Sequence, residues 1–575
     1  MNSVVDHAAP GVRREPATRA RAVAEAVARH GCPVVFGLMG DGNMALFLAL
    51  DTAGVDIVEV RHESAAVAMA EGYAWTSGSV GVCSVTHGPG LTHVATSLVV
   101  AARNHSPVVL ITAETPAGYA GAQKYGQEAF ATACEAPYRR LAADEDPAAV
   151  VDEVMALAES RSGPVVLAVA ADHFTGPPPA GAGRTPRAAA GLPADPAPAD
   201  PAAARTLLDL LQEARRPVLI AGRGAMNQAA HSLRAIADHL GAGLATTLPA
   251  KGLFDGHRLD LGIAGGLSHP AAERVLRDAD LVLAAGASMG RSTTQSRTLF
   301  ADATVLRLTR EAPGGLHASP ALGAAVTGDA ETVLAEVADA LTTTARPRTP
   351  WFTPVGSSAD CWREDLDDYA PDLPPGTVDP RAVLGDISAL IPRDAAVVVG
   401  NGHCSGFASA FLDVPADGLF LPAQGFGSIG QAMTTAIGAA RGRPGRKVVV
   451  FEGDAAFMMH AQELDTARRA GVDLTVFVLN DQALGTEYQR LRWDGDGADL
   501  ALVPPPDLAD LARSLGARAW VVDDRAAAGA AAEAALGTGL ALVEIRTART
   551  VLSRHMRLPG KPAGTADRGS AGPGH

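Results

Sequence analysis

The chain has 575 residues, 47% of them apolar, 19% charged and 4% aromatic, with a formal net charge of −15. That length exceeds one ordinary core and predicts two to four domains. The acidic balance and the lack of a basic cluster exclude nucleic acid and an anionic membrane as expected partners. An anionic ligand then has to be held by helix N-termini, backbone N–H groups or a metal. Cysteines 32, 83, 134, 361 and 404 are odd in number, widely spread and without a C-x-x-C pair. That pattern fits reduced thiols in a cytoplasmic protein and neither a disulfide framework nor a zinc site. Met1–Pro16 lacks the apolar run of a signal peptide, and Val94–Ala113 is interrupted by Arg103, Asn104 and His105, so no membrane span is expected.

In chain order, Val34–Phe36, Ile57–Val60, Gly81–Val85 and Val108–Ile111 read as strands, with a helix over Ser64–Thr76. They make a first block of 1–178. A proline-rich stretch over Gly176–Pro201 reads as a linker. A second block, 200–342, carries strands at Pro217–Ala221, Leu281–Ala285 and Thr304–Leu308. Another proline-rich stretch, Thr342–Pro375, leads to a third block, 376–555, with strands at Ala395–Val399, Lys447–Phe451, Leu474–Leu479 and Ala541–Ile545. The Gly/Pro/Ser-rich tail 556–575 is expected to be disordered. Continuous apolar strands separated by helices predict an α/β protein of three doubly wound parallel-sheet domains, with ligand sites at the carboxyl ends of the strands.

The third block holds the most informative chemistry. One strand ends at Glu452-Gly453-Asp454, a helix follows over about Ala461–Ala470, and the next strand ends at Asn480-Asp481. Parallel neighbours put Asp454 and Asp481 at one sheet edge, where two oxygen ligands suit a hard cation such as magnesium that also grips phosphate. A Gly-Asp alone reads as a helix cap; the spaced pair is the stronger signal. Gly400-Asn401-Gly402-His403-Cys404-Ser405 is a glycine-rich turn after a strand, whose amides suit a diphosphate at a helix N-terminus. In the first block Glu63 opens a helix directly after a strand, either complementing the helix dipole or serving as a partly buried acid.

At these residues the chain resembles the thiamine diphosphate enzymes of the acetolactate synthase, pyruvate decarboxylase and benzoylformate decarboxylase group. Asp454 and Asn480-Asp481 match that group's Gly-Asp-Gly and Asn-Asn motif, with Ala455 in place of the second glycine and Asp481 in place of the second asparagine. Arg61-His62-Glu63 followed by Gly72-Tyr73-Ala74 is similar to the run carrying the group's activating glutamate. The resemblance runs from Pro16 to Leu552 and is looser in the middle block. It implies thiamine diphosphate and Mg2+, with Asp454, Asp481 and the carbonyl of Ala483 as metal ligands. It implies cofactor contacts from Gly402, His403, Cys404, Gly427, Ile429, Gly453, Asp454, Ala455, Ala456, Asp481, Leu484 and Gly485. Ile429, in Gly425–Gly430, takes the place of the apolar wedge between the cofactor's rings, and Glu63 the activating position. It further implies a homodimer or homotetramer, each cofactor lying between the first domain of one subunit and the third domain of another.

The segment Val35–Asn43 is similar to pyruvate decarboxylase, with Asp41 at a proton-transfer position, and Glu487 stands where such decarboxylases keep a catalytic glutamate. Ala122–Glu128 instead resembles the acetolactate synthase loop, with Gln127 at its cofactor-facing glutamine. His87 follows a strand and reads as an acid/base, a carboxylate binder or a structural cap. In the middle block Ser288–Ser292 replaces the flavin-holding segment of acetolactate synthases, and Thr309 replaces an acidic residue; FAD is not expected. The expected activity is decarboxylation of a small 2-oxo acid through a C2-carbanion or enamine. A carboligase of acetolactate synthase type is the alternative. An inactive cofactor-binding partner subunit is the third reading, against which the retained Glu63 argues.

Overall fold

The computed structural model describes residues 18–556, apart from 117, 119–120, 179–201, 311–322, 345, 357–360, 363–365, 367–370, 416–417 and 496. Most of the expected first linker and nearly all of the expected disordered tail lie outside the described residues. The chain forms two compact units, Met1–Ala74 with Ser79–Leu192 and Trp75–Gly78 with Pro193–His575.

The first unit is built on six parallel strands: β1 (Val34–Gly37), β2 (Asp56–Glu59), β3 (Gly81–Val85), β4 (Val108–Glu114), β5 (Tyr138–Leu141) and β6 (Pro164–Ala170), in the order β2-β1-β3-β4-β6-β5. Its central strands read as unbroken Val/Leu/Ile runs because both faces are covered. The helix Glu63–Ser77 buries every residue from Ser64 to Ala74, which explains why its sequence is apolar on all sides. Ala-rich packing lets it approach β3 closely: a Cβ on Gly81 would lie 2.0 Å from the carbonyl oxygen of Ala70.

The second unit holds two sheets. One consists of β7 (Pro217–Ala221), β8 (Gly243–Thr246), β9 (Asp260–Ile263), β10 (Leu281–Ala285), β11 (Thr304–Thr309) and β12 (Ala324–Thr327), ordered β12-β11-β10-β7-β8-β9. The other consists of β13 (Ala396–Val399), β14 (Leu419–Pro422), β15 (Val448–Gly453), β16 (Leu474–Asn480), β17 (Arg518–Val522) and β18 (Leu540–Arg546), ordered β14-β13-β15-β16-β18-β17. All three sheets are parallel, as expected. The first and third share one strand order, so each has its topological switch point at the corresponding pair, β1/β3 and β13/β15. At such a pair the connections diverge in opposite directions and leave a crevice beyond the carboxyl ends.

The structure differs from expectation in two local respects. The helix expected over Ala461–Ala470 is instead two short ones, Asp454–His460 and Glu463–Arg469. Helical backbone begins at Asp454 itself, one residue past the strand. Among the described residues seven strands lie beyond those expected: β5, β9, β12, β14 and β17 are edge strands with at least one partly exposed residue, whereas β6 and β8 are buried interior strands. No helix among the described residues is long and apolar enough to cross a membrane.

The contact between Gly81 and the helix Glu63–Ser77 is the tightest constraint in the first unit. Gly81→Ala is expected to destabilise that unit by about 2 kcal/mol through overpacking, read as a lower midpoint in thermal or urea unfolding; an unchanged midpoint would mean the helix can move aside.

Candidate functional site

In the third sheet a cleft opens at the β13/β15 switch point, where ligand sites of such sheets are found. Asn401–Cys404 line it from the end of β13, Gly453–Ala456 from the end of β15, Leu479, Asp481 and Ala483–Glu487 from β16 onward, and Thr547 from the end of β18. Phe407 and Ile429 supply apolar wall. The sequence-predicted residues Gly402, His403, Cys404, Ile429, Gly453, Asp454, Ala455, Ala456, Asp481, Ala483, Leu484, Gly485 and Glu487 are all brought together here. Gly427 is not among the lining residues; it sits at φ 75 in the turn Gly425–Gly427, where Phe426 is also left-handed at φ 63.

Gly402 turns the chain into the helix His403–Phe411 at φ 108 and ψ −169, a conformation open to glycine. On the opposite wall the loop after β16 is held by side-chain acceptors. Asn480 Oδ1 accepts from Gln482 N at 3.1 Å and Asp481 Oδ1 from Ala483 N at 3.1 Å. Asn480 Nδ2 donates to Glu544 Oε1 at 2.8 Å, and Arg549 Nε donates to Asp481 O at 2.8 Å. Gln482 sits at φ 59, a strained position that this set of bonds over-determines.

The electrostatics of the cleft are one-sided. Asp454 is 1% exposed and its Oδ2 has no hydrogen-bond partner among the described residues. Burial, and then the facing Asp481 carboxylate, push its carboxyl group up to about 8. Burial pushes Asp481 up to about 6, with the Ala483 amide and Arg549 working against the rise. Glu452, on β15, is fully buried and raised by that burial to about 8. Two carboxyl groups facing each other in a desolvated cleft, one with an orphaned oxygen, fit a hard divalent cation, which would restore both to the ionised state. The glycine-lined helix start beside them fits phosphate oxygens.

In the first unit the carboxyl edge of β1 and β3 gathers a second group. Thr86 Oγ1 donates to Asp41 Oδ1 at 3.3 Å and accepts from Gly42 N at 3.2 Å. His87 is buried beside them, and a Cβ on Gly42 would come 2.3 Å from its Nδ1. Asn43, fully buried, bridges the loop to Ser84 Oγ at 3.1 Å. Glu63 begins its helix with a side chain only 13% exposed, and His93 Nδ1 lies 2.8 Å from its Oε2. The His93 ring stacks on His62 at 4.9 Å, and burial and then His93 lower the His62 pKa. Gly90 separates Glu63 from Thr86: a Cβ there would lie 2.9 Å from Thr86 Cγ2 and 3.6 Å from Glu63 Oε1. Gln127 is buried and its amide donates to Ala113 O at 3.0 Å. Sequence reasoning missed His93, Thr86 and Thr547. Thr86 and Thr547 stand at carboxyl ends of strands and were findable by that rule; His93 is folded back by the short helix Pro89–Thr92 and carried no signal.

Fold and cleft together define a three-sheet α/β protein with a phosphate- and cation-fitting crevice at a switch point. The chain belongs to the thiamine pyrophosphate enzyme family. Residues 17–134 match the thiamine pyrophosphate enzyme N-terminal TPP binding domain, 204–337 the central domain and 400–545 the C-terminal TPP binding domain. It is similar to the acetolactate synthase large subunit of Parasynechococcus marenigrum, 31% identical over 528 residues, covering 88% of this chain and 83% of that one. It is also similar to the acetolactate synthase of Mycobacterium avium, 29% identical over 531 residues and covering 87% and 82%. The sulfoacetaldehyde acetyltransferase of Castellaniella defragrans is 28% identical over 558 residues, covering 88% of each chain.

A carboxyl group whose folded-state pKa is raised stabilises the fold below its unfolded pKa, and that contribution is lost as pH rises through the folded value. Without divalent cations, wild type is therefore expected to lose stability relative to Asp454→Asn as pH rises from about 4 to about 8, by at least about 1 kcal/mol. Paired melts of the two proteins across that range check this; parallel profiles would mean that Asp454 ionises freely.

Proposed function

We propose that this thiamine diphosphate enzyme is a magnesium-dependent carboligase. It releases carbon dioxide from a small 2-oxo acid and joins the remaining acyl unit to a second carbonyl compound. The observation that carries this is the orphaned, buried Asp454 Oδ2 facing Asp481 beside the glycine-lined helix start of His403, in a chain of this family. The names of the relatives, synthases and an acetyltransferase, support joining or transfer over simple decarboxylation. A plain decarboxylase is the second reading, favoured by Glu487, which is among the residues lining the cleft.

When bound, thiamine diphosphate supplies a carbon nucleophile and an electron sink for loss of carbon dioxide. Asp454, Asp481 and the Ala483 carbonyl would hold the magnesium, whose charge would offset both carboxylates. Gly402, His403 and the helix behind them would supply N–H donors to phosphate oxygens. Ile429 and Phe407 keep water from the cleft wall. Glu63, nearly buried, would stand against the cofactor's pyrimidine ring, and His93, whose Nδ1 lies 2.8 Å from its Oε2, fixes the direction of its carboxyl group. His87, Asp41 and Thr86 form a polar edge suited to the substrate carboxylate and to proton movement, and Gln127 braces the loop behind them.

The active unit in this reading is a homodimer or larger homo-oligomer in which Glu63 of one protomer serves the cleft of another. Exposed apolar side chains near each half-site support such an interface: Met39, Met44 and Leu48 beside Asp41, and Phe426, Met458 and Met459 beside the cleft. Isolated exposed patches of this kind mark association surfaces.

Glu63→Gln is expected to lower turnover at least about a hundredfold while leaving cofactor binding measurable by titration; unchanged turnover would remove Glu63 from the mechanism. Refolding an equal mixture of Glu63→Gln and Asp454→Asn chains is expected to recover about a quarter of wild-type activity, since half the dimers are mixed and each mixed dimer has one intact site of two. No recovery would place both residues in one protomer's site. With pyruvate as the 2-oxo acid, acetolactate supports the carboligase and free acetaldehyde the decarboxylase.

A further inference from the structure

We infer that the C-terminal segment Thr547–Arg554 fixes the ring of His403 as an Nδ1–H donor toward the diphosphate, so that a backbone amide remote in sequence sets the cofactor affinity of the cleft. The inference rests on the reading of the cleft as a thiamine diphosphate site and deepens it.

The argument begins with one hydrogen bond. Ser553 N donates to His403 Nε2 at 3.1 Å, in a buried setting. A ring nitrogen that accepts an amide N–H cannot carry a proton, so the neutral imidazole holds its hydrogen on Nδ1. The ring is oriented as well: it meets Phe407 edge-on at 4.8 Å. Its Nδ1 edge is turned toward Gly485 and Asp481, since a Cβ on Gly485 would lie 3.3 Å from Nδ1 and 2.8 Å from Asp481 Oδ2.

The Ser553 amide is not left to chance. Along its segment Thr547 N donates to Asn480 O at 2.9 Å, Arg549 Nε to Asp481 O at 2.8 Å and Thr550 Oγ1 to Asp372 O at 2.7 Å. Past the amide, Arg554 crosses to the middle sheet's surroundings, donating to Ser268 O at 3.0 Å and Glu273 Oε2 at 3.1 Å. Val551 and Ser553 are buried between these anchors.

The chemistry of the cleft makes the choice of tautomer matter. Among the described lining residues there is no lysine or arginine, while three are acidic, Asp454, Asp481 and Glu487. A diphosphate entering with its cation must therefore find neutral donors. With the proton on Nδ1, His403 offers one; with the proton on Nε2 it would point a lone pair at a phosphate oxygen, and the Ser553 amide would lose its acceptor as well. Ser553 and Arg554 are positioning residues: they act through His403.

The test is calorimetric titration of the full-length protein with magnesium and inorganic diphosphate, then with thiamine diphosphate. Ser553→Pro deletes the N–H and is expected to weaken both ligands about tenfold, the loss of one good hydrogen bond. His403→Asn sets an amide where Nδ1 stands and is expected to bind within about threefold of wild type, whereas His403→Gln sets it where Nε2 stands and loses as much as Ser553→Pro. In the His403→Asn background Ser553→Pro is expected to have no further effect, because no ring remains to be set. Should Ser553→Pro fail to fold, Arg554→Ala, which keeps the N–H and frees its anchor, makes the same comparison in both backgrounds with a smaller loss. Wild-type affinity in the Ser553 and Arg554 variants, equal losses in both backgrounds, or binding retained by Gln and lost by Asn would overturn the inference. A wild type that binds neither ligand overturns the functional reading instead.

Discussion

Two carboxyl groups, Asp454 and Asp481, meet at the edge of the third sheet, and much of the surrounding structure is arranged around their mutual repulsion. Left alone, burial drives both toward the neutral form, and the Asp481 charge adds to the rise at Asp454. Among the described residues lining the cleft there is no lysine or arginine, and Asp454 Oδ2 has no hydrogen-bond partner among the described residues. Such an arrangement is unfavourable for an empty protein and favourable for one that carries a cation and a phosphate together. Under the proposed function, binding of the two ligands would stabilise the folded chain.

The geometry that brings the pair together is a property of topology. Parallel strands end on one edge, and the reversal of connection direction at β13/β15 keeps a crevice open there. The first sheet repeats the strand order and places Asp41, Thr86 and His87 at its own corresponding pair. Glycines make both edges possible by letting backbone and side chains close up: Gly42 against His87, Gly90 between Thr86 and Glu63, Gly485 between Asp481 and His403.

Much of this was legible in the residues. Central strands such as Val448–Gly453 and Leu474–Asn480 announce themselves because burial on both faces demands unbroken apolar runs. Asp454 and Asp481 follow from those strands, since the residue after a parallel strand is at the ligand edge. The edge strands β5, β9, β12 and β17 were not legible, because one partner and partial exposure weaken the pattern; β6, β8 and β14 were missed although their residues are largely buried. The split of the expected helix at Ala461–Gln462 was missed because nothing in Ala461–Ala470 marks a break. The partners that tune the site were the least visible. His93 reaches Glu63 and Ser553 reaches His403 across 30 and 150 positions of sequence, and contacts of that range depend on tertiary structure that no local motif encodes.

The distribution of the cleft's walls along the chain has a consequence for how the protein matures. Its lining begins at Asn401 and is completed only by Thr547, with the Ser553 amide later still. A ribosome releases the amino-terminal portion of a chain first, so the first sheet and the middle sheet can be complete while the pocket still lacks a wall. A cleft built this way stays incomplete until nearly the whole chain has been made.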